Sequence, residues 1–240
     1  MVRPIVNRFK DSSSVATHVA ADLFEFIKHG LQVNSRLDIA LTGGTVGIAS
    51  LAAAAELPFE QLDLSRLHFW WGDERFVASD SPDRNAKQAA DAWISKLSIP
   101  SSNLHMFPSM SDGLTLDEAA NLFDESFESQ QINFDLMLMG MGPDGHIASL
   151  FPGQKMSSKN KNVVAVHDSP KPPSERLSFT YEVINSSAQI WFTVAGSDKA
   201  EAVSVVFGDS PETLPAGRVS GKEKTVWYID QTAGNLVWGC

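Results

Sequence analysis

Short apolar runs alternate along this chain with longer segments in which apolar residues recur at helical spacing. The runs that we expect to form strands are residues 37–41, 67–71, 134–139, 163–166, 189–195 and 225–229. Several are apolar at nearly every position, which is typical of parallel strands covered on both faces. The predicted helices are residues 15–29, 47–55, 86–96, 116–130 and 199–207, with glycines at 30 and 208 as expected end points. The alternation predicts an α/β fold, a Rossmann-like three-layer α/β/α sandwich with a doubly wound, mostly parallel sheet.

Length and composition favour a single domain. The chain has 240 residues, of which 43% are hydrophobic, and it shows no internal repeat and no dividing linker. We therefore expect one α/β domain over residues 1–240. The polar interval 154–162 and the proline-rich segment 169–175 are predicted to be surface loops.

Charge and cysteine content exclude several classes of function. The formal net charge is −10, which argues against nucleic-acid binding, because nucleic-acid-binding proteins normally present a basic face. The lone thiol, Cys240, can form neither an internal disulfide nor a cysteine zinc site, which suits a reducing cytoplasm. No run approaches the ~18 apolar residues of a membrane span, and the start of the chain lacks the apolar stretch of a signal peptide. We therefore expect a cytoplasmic protein that does not bind membranes.

The turns that follow the predicted strands are the candidate sites, because ligands bind beyond the carboxyl ends of open parallel sheets. The first such turn contains Gly43, Gly44 and Thr45 directly before a predicted helix. Free N–H groups at a helix start bind phosphate, and glycines allow the ligand to approach closely. The alternative is an ordinary strand-to-helix turn with a threonine cap.

Two further turns place charged side chains at strand ends. Asp73 and Arg75 follow the strand 67–71, where they either hold a polar ligand or form a solvated ion-pair patch. Lys199 lies in the first turn of a predicted helix, where the helix dipole disfavours a cation unless an anion is bound. Arg176, which follows the proline-rich segment, is a candidate of the same kind.

The turn at residues 140–146 reads GMGPDGH and is the strongest candidate for chemistry. It contains the GxGxxG spacing of a dinucleotide site, with Asp168 about 20 residues further on. A dinucleotide crossover also needs a full helix, whereas Pro152 closes this segment early, so we do not expect a dinucleotide site. What remains is His146 beside Asp144. Histidine takes up a proton near neutral pH and a carboxylate can fix its tautomer, so His146 is the candidate general base.

Several common catalytic motifs are missing from the chain. It contains no GxSxG nucleophile elbow, no HExxH metal helix and no GxxxxGK[ST] phosphate loop. We therefore expect a non-covalent mechanism without a metal ion. The glycine-rich turn and the cations at the strand ends predict a small phosphorylated substrate.

These motifs together resemble the 6-phosphogluconolactonase family, within the larger group that includes glucosamine-6-phosphate deaminases and ribose-5-phosphate isomerases. The matching segments are WGDERFV at 71–77, DRN at 83–85, GMGPDGHIASLFPG at 140–153, PSERLS at 173–178, AGSDK at 195–199 and LPA at 214–216. The deaminases have Phe-Asn-Glu-Pro after the shared histidine and Asp-Glu-Tyr in the earlier motif, so both differences favour the lactonases. The first turn departs from the usual Ser-Gly-Gly-Ser-Thr-Pro pattern, which leaves the start of the following helix open.

The resemblance implies hydrolysis of 6-phospho-D-glucono-1,5-lactone to 6-phosphogluconate in the oxidative pentose phosphate pathway. His146 would act as general base, Asp144 would orient it, and Arg75 would stabilise the developing oxyanion. The residues implied in binding the substrate or its phosphate are Gly43, Gly44, Thr45, Asp73, Arg176 and Lys199. No metal or cofactor is implied, and we expect a monomer or weak homo-oligomer. Two alternatives remain open: a deaminating or aldose-ketose enzyme of the same fold, and a sugar-phosphate sensor without catalysis.

Overall fold

The computed structural model describes residues 3–154 and 160–239. The strands are β1 (Ile5–Phe9), β2 (Leu37–Leu41), β3 (Leu67–Trp71), β4 (Asp73–Arg75), β5 (Leu136–Gly140), β6 (Val163–Val166), β7 (Arg176–Phe179), β8 (Gln189–Val194) and β9 (Lys224–Asp230). The α-helices are α1 (Ser12–Val33), α2 (Thr45–Ala54), α3 (Asn85–Ala92), α4 (Leu116–Gln130), α5 (Tyr181–Ser186), α6 (Ala200–Val206) and α7 (Asn235–Trp238). Two features of the sequence fall outside the described residues, namely residues 155–159 of the polar interval and Cys240.

Six strands form one parallel sheet in the order β1-β9-β8-β5-β2-β3. From β2 the chain moves outward to β3, and from β5 it moves the other way through β8 to β9. The direction of winding therefore reverses between β2 and β5, which is where an open α/β sheet forms its ligand crevice. The doubly wound α/β architecture predicted from the hydrophobic pattern is confirmed.

The central strands are apolar because both faces of the sheet are covered. All five residues of β2 are buried, and α1 packs against β8, β9 and α2. Aromatic side chains fill much of the interior, with Trp70 and Trp93 at most 1% exposed. This packing fixes the carboxyl ends of the strands relative to one another, and so fixes the turns that follow them.

A second, antiparallel sheet of three strands lies beside the first in the order β4-β7-β6. Residues 163–166 form the strand that was predicted, but as β6 it belongs to this small sheet and not to the parallel one. The hydrophobic pattern does not reveal β4 or β7, because each has at most four residues and carries charged side chains. It also misses β1, an edge strand without a fully buried residue.

The helix boundaries show which local signals were decisive. Helix α4 begins and ends where the pattern predicts, and a capping box between Thr115 and Glu118 marks its start. Helix α1 instead continues past Gly30 to Val33, so the expected end point is wrong. Gly30 is buried against Leu37, whose Cδ1 would lie 2.8 Å from a Cβ at position 30. The glycine provides space for the neighbouring strand and does not end the helix.

No helix within residues 3–154 and 160–239 is long and apolar enough to cross a bilayer.

Candidate active site

A cavity of about 540 Å³ opens at the carboxyl edge of the parallel sheet, over the point where the winding reverses. It is lined by eight of the nine predicted site residues: Gly43, Gly44, Thr45, Asp73, Arg75, His146, Arg176 and Lys199. The ninth, Asp144, lies directly behind the imidazole of His146. The structure therefore brings together side chains that the sequence places in five separate segments.

The imidazole of His146 is held in one orientation by its neighbours. Its Nδ1 lies 2.5 Å from Oδ1 of Asp144, and the ring packs against Phe151 with 4.6 Å between ring centroids. A Cβ at position 142 would lie 1.9 Å from His146 Nδ1 and 2.6 Å from Asp144 Oδ1. Position 142 therefore requires a glycine, because any Cβ there would overlap the imidazole and the carboxylate.

Burial lowers the pKa of His146. The hydrogen bond to Asp144 and the negative charge of that carboxylate raise the pKa, but the effect of burial is larger. The Lys171 ammonium lowers the pKa further. Burial alone would raise the pKa of Asp144, but the hydrogen bond from His146 and the Lys171 charge bring it below its usual range. At neutral pH the Asp144 carboxylate is thus ionised and can only accept hydrogen bonds. The proton of the neutral ring therefore sits on Nδ1, which leaves the lone pair of Nε2 free to act as a base.

The phosphate candidate is the start of helix α2. The helix begins at Thr45, so its start is not impaired by the departure from the usual family pattern. No side chain caps this end and its first turn carries no acidic residue, while residues 42–47 line the cavity. An uncapped helix N-terminus presents free N–H groups and the positive end of the dipole to whatever occupies the cavity.

Lys199 approaches the same cavity from the turn after β8. Its Nζ lies 3.0 Å from Oδ2 of Asp198, and its side chain is 19% exposed. The turn is fixed by Asp230, whose Oδ1 accepts a hydrogen bond from Gly196 N at 3.1 Å. The lysine ends a short 3-10 turn, and α6 begins at Ala200, one residue later than predicted.

Arg75, on β4, lines the same cavity. Its Nη1 donates to the backbone oxygen of Asp83 at 2.6 Å. Its Nε is buried and has no hydrogen-bond partner among the described residues. The positive charge of this cavity-lining guanidinium favours an anionic or carbonyl ligand.

Arg176 is paired with Arg75 in the β4–β7 register and is 4% exposed. It donates from Nε to the oxygen of Pro173 at 2.9 Å and from Nη2 to the oxygen of Lys171 at 3.1 Å. Its Nη1 lies 4.0 Å from Oδ2 of Asp73. Much of this guanidinium is therefore engaged in holding the proline-rich segment, and its remaining nitrogen lies beside Asp73.

Of the charged residues after β3, Glu74 has a structural position. It is fully buried, its Oε1 and Oε2 accept from the backbone N–H groups of Asn85 and Ala86, and it pairs with Arg84 at 3.7 Å. Burial raises the pKa of Glu74, against the opposing effect of Arg84 and the backbone donors. Glu74 therefore forms an ion pair that is buried, in contrast to the solvated patch given as the alternative, and it anchors the start of α3. Asp73 and Arg75 line the cavity.

Lys171 and Asn85 are among the cavity-lining residues to which sequence reasoning assigned no role. Lys171 Nζ lies 3.9 Å from Asp144 Oδ1, so the segment 169–175 forms a wall of the site and is more than a surface loop. Asn85 donates from Nδ2 to the backbone oxygen of Asp73 at 2.9 Å. The available signals were the lysine between prolines and the asparagine that follows the charged turn, and neither predicts chemistry by itself.

No cluster of three or more histidine, cysteine, aspartate or glutamate side chains suited to a metal ion occurs in the described part of the chain.

The chain matches a family model described as glucosamine-6-phosphate isomerases/6-phosphogluconolactonase over residues 10–227. A curated 6-phosphogluconolactonase of Mycobacterium leprae is 37% identical over 244 residues, covering 98% of each chain. Chloroplastic 6-phosphogluconolactonase 3 of Arabidopsis thaliana is 41% identical over 212 residues, which span 82% of this chain and 64% of the plant protein.

Solved structures agree with these sequence matches. The 6-phosphogluconolactonase of Thermotoga maritima superposes with a TM-score of 0.83 at 28% identity, covering 95% of this chain and 100% of that one. A monomeric glucosamine-6-phosphate deaminase shares the fold, with a TM-score of 0.80 at 22% identity over 97% of this chain and 99% of its own. The resemblance inferred from the motifs is confirmed. The chain therefore belongs to the glucosamine-6-phosphate isomerase/6-phosphogluconolactonase family.

Proposed function

We propose that this protein hydrolyses 6-phospho-D-glucono-1,5-lactone to 6-phospho-D-gluconate, the reaction after which its relatives in Mycobacterium and Arabidopsis are named. The observation that carries the proposal is an imidazole fixed by Asp144 at the wall of a cavity that also contains a helix N-terminus and cationic side chains. The oxidative pentose phosphate pathway is the setting in which this substrate arises. We expect the protein to act there in the cytoplasm, as a monomer or weak homo-oligomer.

His146 serves as the general base. Its Nε2 takes a proton from a water molecule as the water oxygen forms a bond to C1 of the lactone. The tetrahedral intermediate then collapses, the bond between C1 and the ring oxygen breaks, and the imidazolium returns its proton to that oxygen. Asp144 keeps the proton of the resting ring on Nδ1 and stabilises the imidazolium once it forms.

Arg75 stabilises the negative charge that develops on the carbonyl oxygen. Its positive charge and its position on the cavity wall support this role. Asp73 accepts hydrogen bonds from hydroxyl groups of the sugar, and Arg176 holds the wall behind both side chains. A charged donor aimed at an oxyanion contributes ~10²- to 10³-fold in rate.

The 6-phosphate binds at the start of helix α2. The N–H groups of Gly43, Gly44 and Thr45 at the start of α2 surround it, and Lys199 supplies a positive charge. With the phosphate held, the lactone carbonyl reaches the water beside His146 in a fixed geometry.

The chemistry is modest enough for this small set of groups. A δ-lactone opens slowly in water without a catalyst, so a general base worth ~10²- to 10⁴-fold and an oxyanion site together provide a useful acceleration. No covalent intermediate, metal ion or organic cofactor takes part in this scheme. Treatment with a chelator is therefore expected to leave the rate unchanged.

The proposal is tested by following proton release from freshly prepared 6-phosphogluconolactone, with the spontaneous rate subtracted. The wild type should accelerate opening strongly, and His146→Ala should lower kcat ~10²- to 10⁴-fold with little change in KM. His18→Gln, which alters an exposed histidine outside the cavity, is the matched control and should retain the wild-type rate. A His146→Ala enzyme that turns over like the wild type would exclude this mechanism.

The deaminase alternative is disfavoured by one contact. In the deaminase pattern a glutamate occupies the position of Phe151, whereas here the Phe151 ring packs against the imidazole and supplies no carboxylate. Release of ammonia from glucosamine 6-phosphate would support the alternative. Binding of sugar phosphates without any turnover would instead identify a sensor.

A further inference from the structure

The carboxylate of Asp73 is held from two sides. Its Oδ2 accepts a hydrogen bond from Oγ of Ser149 at 2.6 Å, and its Oδ1 lies 3.3 Å from Nδ2 of Asn85. Asp73 is only 7% exposed, yet it lines the cavity. Since each carboxylate oxygen accepts more than one hydrogen bond, the fixed group retains acceptor capacity toward a ligand.

Ser149 reaches Asp73 from the catalytic turn itself. It stands three residues after His146 and is completely buried. Its backbone N–H donates to Oγ of Ser178, the residue that pairs with Asp73 in the β4–β7 register. The turn that carries the proposed base is thus attached, through one serine, to the strand that carries Asp73.

The backbone between these two side chains is strained. Ala148 has φ +46°, a left-handed conformation that costs an L-residue with a Cβ roughly 1 kcal/mol or more. Ala148 itself lines the cavity, and a bridge between Ile147 and Leu150 closes the turn. This conformation allows His146 to line the cavity while Ser149, three residues later, is buried against Asp73. Strain of this kind persists where the surrounding contacts over-determine it.

We infer that Ser149 is a positioning residue for the proposed lactonase reaction: its hydroxyl fixes the Asp73 carboxylate relative to His146. Asp73 then meets the sugar hydroxyls at a set distance from the base, and the lactone carbonyl is aligned with the attacking water. The inference rests on the proposed function, and Ser149 affects the reaction only by holding Asp73 in place.

The test is a double-mutant cycle on kcat/KM with 6-phosphogluconolactone, using the wild type, Ser149→Ala, Asp73→Ala and the double variant. We expect Ser149→Ala to lower kcat/KM about 10- to 100-fold, which is the loss expected when a substrate-positioning group such as the Asp73 carboxylate moves by about 1 Å. In the Asp73→Ala background the same change should cost less than about twofold, because the group it positions is gone. A serine with a merely structural role would give the same loss in both backgrounds.

The matched control is Ser187→Ala. Ser187 is also completely buried, its Oγ has no partner among the described residues, and it precedes β8 at the sheet edge opposite the cavity. Its kcat/KM should stay within about twofold of the wild type. If Ser149→Ala does not fold, Ser149→Cys keeps the side-chain shape with a weak donor and enters the same cycle.

The outcomes separate the two hypotheses. A wild type that does not accelerate lactone opening overturns the proposed function, and this inference with it. If the wild type turns over, either an unchanged Ser149→Ala enzyme or equal losses in both backgrounds overturns the inference alone. A loss that disappears when Asp73 is absent supports it.

Discussion

At the scale of single residues, the site depends on how neighbours set the protonation of His146. Burial lowers the pKa of the imidazole, Asp144 opposes that effect, and Lys171 adds to it. Lys171 lies 3.9 Å from the carboxylate, so one cation acts on both members of the pair. The lowered pKa favours the neutral ring at neutral pH, the form that the proposed general base requires.

Removing the charge of Lys171 and removing the charge of Asp144 should move the acidic limb of the pH profile of kcat/KM in opposite directions. Lys171→Gln removes a cation that disfavours imidazolium, so the pKa of His146 rises and the limb moves to higher pH. Asp144→Asn removes the favourable carboxylate, so the limb moves to lower pH, and the maximal rate falls because the tautomer is no longer fixed. The measurement is kcat/KM from pH 5 to 8 at constant ionic strength. Shifts of the same sign would contradict this electrostatic scheme.

Gly142→Ala should reduce kcat roughly 10- to 100-fold while the fold is retained, because the new Cβ would displace the imidazole. Gly72→Ala is the matched control, since a Cβ there would find no atom closer than 3.8 Å. Steady-state kinetics and circular dichroism on both variants test this expectation. Equal activity of the two would show that the His146 ring has room to shift without loss.

At the scale of secondary structure elements, the cavity lies between the start of α2 and the turns after β3, β5 and β8. Each turn is short and is anchored by backbone hydrogen bonds, such as Gly142 N to the oxygen of His146 at 2.9 Å. The residues proposed to bind phosphate and those proposed to catalyse the reaction lie on different elements, so a substitution in one set should leave the other in place.

Lys199→Ala should lower kcat/KM for the phosphorylated lactone about 10- to 100-fold, because a charge-assisted contact to the phosphate is lost. The same variant should open unphosphorylated glucono-1,5-lactone at nearly the wild-type rate. Lys222→Ala, an exposed lysine outside the cavity, serves as control. A Lys199→Ala loss of equal size with both lactones would mean that the lysine does not contact the phosphate.

At the scale of the whole molecule, a second group of polar side chains lies toward the amino ends of the strands, away from the cavity. His68 Nδ1 and His105 Nε2 are 2.9 Å apart, and the His105 ring stacks on Trp70 at 3.8 Å between centroids. Trp70 in turn donates to Asp38, which pairs with Arg36. Burial, followed by the neighbouring His68 and Arg36, lowers the pKa of His105 to about 4.

This pKa predicts acid sensitivity of the fold. Between the ordinary histidine pKa of about 6.5 and the folded value of about 4, the unfolded chain binds more protons than the folded one. The stabilising contribution is thus complete above pH 6.5 and is lost as the pH falls to about 4. We expect a loss of about 1 to 2 kcal/mol from this residue, reduced by its partial exposure to solvent.

Urea unfolding of the wild type and of His105→Gln between pH 4 and 7 measures this effect. The variant should show a shallower decline of unfolding free energy with falling pH, whereas His29→Gln, at an exposed position, should follow the wild type. If the unfolding free energies of His105→Gln and the wild type declined in parallel with falling pH, His105 would not be the source of the acid sensitivity.

Most of the strands, the α4 boundaries and the principal site residues followed from the sequence, because hydrophobic periodicity and short turn motifs are local properties of the chain. His146 and Asp144 are two positions apart, so their contact is almost a consequence of the turn. The small antiparallel sheet was not predictable, because its strands are short and its pairings are distant in sequence.

The tertiary structure alone decided which of these groups meet. Ser149 and Asp73 are 76 positions apart, and no periodicity links them. The role of Lys171 likewise depends on where Arg176 fixes the proline-rich segment against the catalytic turn. Contacts of this kind arise from packing between elements, whose relative positions depend on the whole core and are not encoded in any one segment.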